Sequence, residues 1–301
     1  MISQYAETSV TDPFEQRIAL LASDRESGAS EILDEVVGVL RDAIAGGVSL
    51  LPVARALCRA QSSMASVWNA AIEVVAADRP EERLEAFAAR VARAPEALAR
   101  VAAGYFQADG SGPLRLVTIS FSRTVLTVLE RIATTRQLRV SCSESRPALE
   151  GRRLASRLAA AGIAVTYFSD AAISQALGAA DAVVIGADAV APEWFLNKSG
   201  TRMLAAAAGQ QGVAVHVIAT RDKFVSHAVG ARLSMREGAG SEIWESPPAG
   251  VTVRNPYFES TPLELVASLI TDMGVLGAGL AIDVCEAVSR EQPPDIIDKL
   301  L

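Results

Sequence analysis

Cysteine and histidine are scarce in this 301-residue sequence: only Cys58, Cys142 and Cys285, and only His216 and His227. Three widely separated cysteines form neither a disulfide framework nor a Cys-x-x-Cys metal or redox site, which points to the cytoplasm. His216 sits in the apolar run 213–219 and reads as a packed strand residue, and His227 falls in a loop. Neither a histidine metal site nor a Ser-His-Asp triad is supported, so no metal is expected. Basic charge is also short, with 28 Lys and Arg against 35 Asp and Glu and a net charge of −7. That balance argues against direct nucleic-acid binding and against an anionic membrane surface. Every apolar run is interrupted by charge well before the ~18 residues of a membrane span. The first 21 residues lack the basic-then-apolar order of a signal peptide. What the chain does have is 50% hydrophobic residues and a mean hydropathy of +0.26, enough for a large core.

Two patterns divide the sequence. Up to residue 108, the segments Ala29 to Ala45, Leu51 to Arg59, Met64 to Ala76 and Pro80 to Ala102 place Ala, Leu and Val at helical spacing. An all-helical N-terminal domain over 1–108 is expected. The cluster Ala108-Asp109-Gly110-Ser111-Gly112-Pro113 marks the boundary. Beyond it, over 109–301, short apolar runs at 114–119, 138–142, 164–168, 182–186 and 213–219 alternate with helix-length segments. These read as strands buried on both faces of a parallel sheet. The fold class is therefore α/β, with a helical domain followed by a Rossmann-like, doubly wound parallel sheet.

In such sheets the chemistry sits where strand ends meet loops and helix starts. The first strand runs into Ser120-Phe121-Ser122-Arg123-Thr124 with no Gly-x-Gly-x-x-Gly, which disfavours a nicotinamide dehydrogenase. Its hydroxyls and backbone N–H groups offer an anion cradle, or simply a helix cap. Arg146, in Glu144-Ser145-Arg146-Pro147, is a phosphate ligand or a surface residue. Asp188 follows an all-apolar strand, where desolvation suits proton transfer, although Asp also serves in turns. Asn197-Lys198-Ser199-Gly200-Thr201 puts a cation at a helix start without Walker A spacing, and Lys223 adds a second ammonium at the same sheet edge.

The run from Glu144-Ser145-Arg146-Pro147 to Gly151, then Gly186-Ala187-Asp188, Asn197-Lys198 with Gly200-Thr201, Lys223-Phe224, Asn255-Pro256, Phe258-Glu259 and Thr261-Pro262 resembles one family. It unites ribose-1,5-bisphosphate isomerase, methylthioribose-1-phosphate isomerase and the regulatory α, β and δ subunits of eukaryotic initiation factor 2B. The resemblance covers roughly residues 20 to 285. It implies a homodimer built through the α/β domain, and the apolar stretch Leu263 to Leu276 exceeds what one helix on a monomer core needs.

For the isomerases, the resemblance implies aldose–ketose conversion of a sugar phosphate between a cysteine and an aspartate, without a cofactor. Asp188 matches that aspartate, and Asn197 and Lys198 match ligand-contacting positions. The cysteine position holds Ser120, a far weaker acid, and Cys142 matches no catalytic position. The family's phosphate-gripping arginines are also missing. Their segments correspond to 26–30, which contains Ser27 and Gly28, and to 61–65. Two readings follow: a sugar-phosphate isomerase using Asp188 and Ser120, or a non-catalytic regulatory protein whose pocket holds a sugar phosphate or nucleotide.

Overall fold

The computed structural model describes residues 12–24, 28–107, 112–235 and 237–301. Its first part is helical: α1 (Asp12–Ser23), α2 (Ala29–Ala45), α3 (Leu50–Ala60), α4 (Ala65–Val75) and α5 (Pro80–Gln107). Helix α2 shows why. Ile32, Leu33, Val36, Val37, Val39, Leu40 and Ala43 recur at helical spacing and are all buried. Glu31 accepts the Gly28 N–H at 2.7 Å, satisfying one donor at the helix start. Four helices fall within a few residues of their expected spans, while α1 was not foreseen.

The remainder alternates: β1 (Leu114–Thr118), α6 (Arg123–Ala133), β2 (Leu138–Ser143), α7 (Glu150–Ala160), β3 (Ala164–Phe168), a 3₁₀ segment over Asp170–Ala179, then β4 (Ala182–Gly186). There follow β5 (Ala189–Val190), β6 (Trp194–Lys198), α8 (Thr201–Gln210), β7 (Ala214–Ile218), α9 (His227–Gly230), β8 (Phe258–Pro262), β9 (Ser268–Thr271), β10 (Gly274–Leu276), α10 (Ala278–Glu291) and α11 (Pro294–Lys299). The large sheet has the order β10-β9-β7-β4-β1-β2-β3 and is parallel except for β10. Its order reverses between β1 and β4, the place where doubly wound sheets open a crevice beyond their strand ends. Alternate strand residues face opposite layers: Leu116 and Val184 pack toward α5, α6 and α7, whereas Val117 and Ile185 pack toward α8 and α10.

Several expectations need correcting. The strand at 164–168 is not buried on both faces, because β3 is an edge strand and is mostly exposed. The Leu263 to Leu276 stretch forms no α-helix, only a 3₁₀ turn over Leu263–Leu265 followed by strands. It makes β9, fully buried inside the sheet, and the antiparallel edge β10, so Leu269 and Ile270 belong to the core while Met273 and Val275 stay exposed. His227 begins the short helix α9. A second small sheet, β5-β6-β8, was not anticipated.

The change of pattern near residue 108 does not separate two cores. Leu84 and Phe87 of α5 pack among α2, α3 and α4, while Leu98, Ala102 and Phe106 of the same helix cover the large sheet. At the chain end, Ile297 and Leu300 pack against Ala54, Cys58 and Trp68, and Arg55 donates to the Lys299 carbonyl. No helix among the described residues is long and apolar enough to cross a membrane.

Candidate functional site

A cavity of about 170 Å³ lies at the C-terminal ends of β1 and β4, under the first turn of α2. The loop 119–124 forms one wall and Gly186-Ala187-Asp188 another, with Asn197, Lys198 and Lys223 opposite the start of α7. Two glycines make this possible. A Cβ on Gly151 would fall 1.8 Å from the Ser143 carbonyl oxygen, so only glycine lets α7 start against the end of β2. A Cβ on Gly186 would press on Ser122 at 3.1 Å, where Ser122 accepts the Val125 N–H and caps α6.

Asp188 is held from two sides. Its N–H donates to the Leu196 carbonyl at 2.8 Å, and its own carbonyl accepts the Ala65 N–H at 3.2 Å. Its carboxylate lies 3.9 Å from the Lys223 ammonium, which also donates to the Ala187 carbonyl at 2.6 Å. Burial pushes the Asp188 pKa above its ordinary value, and the charges of Lys223 and Lys198 oppose that rise only in part. The outcome is a carboxyl group that exchanges protons more readily near neutrality than a surface aspartate does.

Ser120 has a left-handed backbone (φ 63°), a conformation uncommon outside glycine. It is kept there by an N–H donated to the Ser145 hydroxyl at 2.8 Å. The Ser120 hydroxyl donates to Glu150 Oε1 at 3.0 Å, and the same oxygen receives Lys198 at 2.8 Å. The other oxygen, Glu150 Oε2, is buried without a hydrogen-bond partner. Lys198 also lies over the Tyr257 ring, 4.5 Å from its centre. Asn197 is fixed by donating to the Thr201 hydroxyl at 2.9 Å.

The structure thus brings Ser120, Asp188, Asn197, Lys198, Lys223 and Gly28 around one cavity. Ser27 lies outside the described residues. Arg146 is not brought in. It is exposed and does not line the cavity, and its backbone N–H donates to Asp170 at 2.8 Å, which holds the loop. Sequence reasoning passed over Glu150, Arg123 and Arg153, which do line the cavity. Glu150 and Arg153 sit on one face of α7, three residues apart, a spacing visible in the sequence once the helix start is known.

A second cavity of about 160 Å³ adjoins the first, sharing Ala29, Asp188, Tyr257 and Phe258 and extending past Gln61, Ser62 and Ser63. All three thiols are buried elsewhere: burial raises Cys142 to about 11 and Cys285 to about 12, and pushes Cys58 up as well. Among the described residues, no group of three or more His, Cys, Asp or Glu side chains is placed to hold a metal ion. His216 is a packed strand residue, 2.9 Å from the Ser268 hydroxyl and edge-on to Tyr105 and Phe106.

A family model described as the initiation factor 2 subunit family matches residues 16–278. The chain belongs to this family. Among curated members, it is 32% identical over 171 residues to a methylthioribose-1-phosphate isomerase from Thermosipho africanus, covering 54% of this chain and 49% of that protein. It is 34% identical over 153 residues to a ribose 1,5-bisphosphate isomerase from Archaeoglobus fulgidus, covering 48% of each. The aligned region thus spans about half the length of these relatives. The crystal structure of the translation initiation factor eIF-2B from Pyrococcus horikoshii OT3 superposes with a TM-score of 0.77 at 22% identity, over 91% of this chain and all of that one. That likeness shows the shared fold. The initiation factor 2 subunit family therefore holds proteins named as isomerases and proteins named as translation factors.

Proposed function

We propose that this initiation factor 2 subunit family member binds a phosphorylated sugar in the cavity and interconverts its aldose and ketose forms. The observation that carries this reading is Asp188, a half-buried carboxylate 3.9 Å from the Lys223 ammonium at the sheet's reversal point, lining the same cavity as Lys198. As the base, Asp188 removes the C2 proton of the sugar 1-phosphate while the ring oxygen takes one up and its bond to C1 breaks, leaving an open-chain enediol whose O1 still carries the phosphate. The enediol then releases the proton on O2, and C1 regains one from Asp188, so protons and electrons balance without an oxidant. Ser120, whose hydroxyl already donates to Glu150, keeps lone pairs for a substrate hydroxyl. Lys198 and Lys223 supply positive charge for the developing oxyanion.

The same serine favours a second reading. A hydroxyl is a poor proton donor where the isomerases carry a thiol, and this fits a pocket that holds a sugar phosphate or nucleotide as a regulatory ligand. A turnover assay separates the two, using ribose 1,5-bisphosphate and methylthioribose 1-phosphate, the substrates named for its relatives. Isomerisation by wild type, lost in Asp188→Asn and raised in Ser120→Cys, supports the enzyme. Binding of either sugar without turnover by wild type or Ser120→Cys gives the site to the regulatory role.

The proposed setting is cytoplasmic and the proposed assembly a homodimer through the α/β part. Val275 on the edge strand β10, Met273 in the turn before it, and Leu280 and Ile282 of α10 are exposed apolar residues that a second copy would cover. Sedimentation showing a monomer at micromolar concentration overturns the dimer.

A further inference from the structure

Three cationic or helix-start elements meet at the mouth of the cavity, and the two arginines among them lie outside the segments matched to the family's phosphate grip. Arg123 begins α6, Arg153 lies on the first turn of α7, and Gly28 begins α2 from the opposite side. The Arg153 guanidinium lies over the Phe121 ring, 4.2 Å from its centre, a contact that helps hold it at the cavity mouth. Both arginine side chains are nearly half exposed, and both line the cavity. They converge on a single carboxylate: Glu31 takes Arg123 at 2.5 Å and Arg153 at 3.6 Å through Oε1, and the Gly28 N–H at 2.7 Å through Oε2. A planar anion held by two guanidinium groups and a helix-start N–H is what a terminal phosphate would find there.

We infer that Arg123 and Arg153 form the phosphate clamp of this cavity, and that the Glu31 carboxylate is an internal stand-in which an incoming phosphate displaces. The inference rests on the reading of the cavity as a sugar-phosphate site. It assigns that site's affinity to two residues of the α/β part, where the helical segments 26–30 and 61–65 carry no matching arginine. Glu31 stays ionised at neutral pH, because the Gly28 N–H and the two arginines hold its pKa below the ordinary carboxylate range. Phosphate and Glu31 therefore compete for the same donors, and the two kinds of substitution act in opposite directions.

The test is titration calorimetry with inorganic phosphate and with ribose 5-phosphate on wild type, Glu31→Gln, Arg123→Ala, Arg153→Ala and Lys198→Ala. Gln at position 31 keeps the acceptor for the Gly28 N–H, so the helix start survives while the competing charge goes. Glu31→Gln should tighten both ligands by about threefold to tenfold, and each arginine variant should weaken them about tenfold. Melting of each ligand-free variant by circular dichroism confirms the fold, and Arg123→Lys, which retains charge without the fork, should fall between wild type and Arg123→Ala. If Lys198→Ala loses affinity while both arginine variants bind as wild type does, the clamp assignment is wrong and the cavity reading stands. If Glu31→Gln leaves affinity unchanged or lowers it, Glu31 is a structural latch and not a stand-in. If neither wild type nor Glu31→Gln binds either probe, the sugar-phosphate reading falls, and the clamp with it.

Discussion

Replacing Lys198 with Met keeps the stem of the side chain and removes its charge, which isolates the ion pair at the heart of the cavity. Lys198 Nζ lies 2.8 Å from Glu150 Oε1, with the lysine side chain 4% exposed and the glutamate 23%. At an effective dielectric near ~20, that separation corresponds to an attraction of about 6 kcal/mol, most of it offset by desolvation of both groups. The variant loses the attraction and leaves Glu150 with a buried charge satisfied only by the Ser120 hydroxyl. Breaking a fully buried pair in this way costs about 3–5 kcal/mol. Because Glu150 is partly open to water, we expect less than that, about 2–3 kcal/mol. Adding Glu150→Gln removes the stranded charge and should recover at least ~1.5 kcal/mol of that loss. The assay is urea unfolding followed by tryptophan fluorescence and far-ultraviolet circular dichroism, since coincident curves are needed before a free energy is assigned. If Lys198→Met lies within ~0.5 kcal/mol of wild type, or if the double variant is less stable than the single, the ion pair does not organise this cavity.

Gly151→Ala should be among the most damaging single-methyl additions in the chain, because the new Cβ would meet the Ser143 carbonyl at 1.8 Å; loss of at least ~3 kcal/mol, or failure to fold, is expected from the same unfolding curves. Asp188→Asn has a pH signature: the raised pKa of Asp188 means its stabilising contribution is complete below the ordinary aspartate value and is lost as pH rises through the folded value. The Asn variant should therefore gain on wild type toward neutral pH and lose that advantage in acid; a pH-independent difference refutes the burial argument. A thiol reagent should label none of the three cysteines in the native protein and all three after denaturation, whereas Ser120→Cys should add one thiol that reacts while the protein is folded.

Much of the fold was legible because the large sheet's inner strands are buried on both faces and therefore read as unbroken apolar runs, as in Ala182 to Gly186. The same logic failed at β3, where an apolar-looking run proved to be an edge, since position in the sheet is not written locally. Strands β5, β6 and β8 escaped notice because β5 is only two residues long and β6 pairs with β8 far along the sequence, as Trp194 does with Pro262. At the site, Asp188 and Lys223 stood out because each follows a recognisable strand, and Asn197 and Lys198 because they precede the glycine and threonine of a helix start. Glu150, Arg153 and Glu31 did not. Their importance comes from which charge they face across the cavity, and charged residues on helices usually read as solvated surface. Arg146 erred the other way: a loop arginine beside proline looked directed, while the contact that organises that loop is the Asp170 carboxylate on its backbone.

Helix α5 runs through both halves of the molecule, its first turns among the helices and its last turns on the sheet, with Pro95 between. A rod shared by both sides of a cleft prevents those sides from swinging apart, and the Ala65 N–H on the Asp188 carbonyl fastens them again at the cavity floor. Access to this site is thus a matter of side chains yielding rather than of jaws opening. Ligand entry should be fast and leave the backbone nearly still, with the movement concentrated in the few long charged residues at the mouth. Scattering curves with and without a saturating sugar phosphate should overlay, even where calorimetry records strong binding.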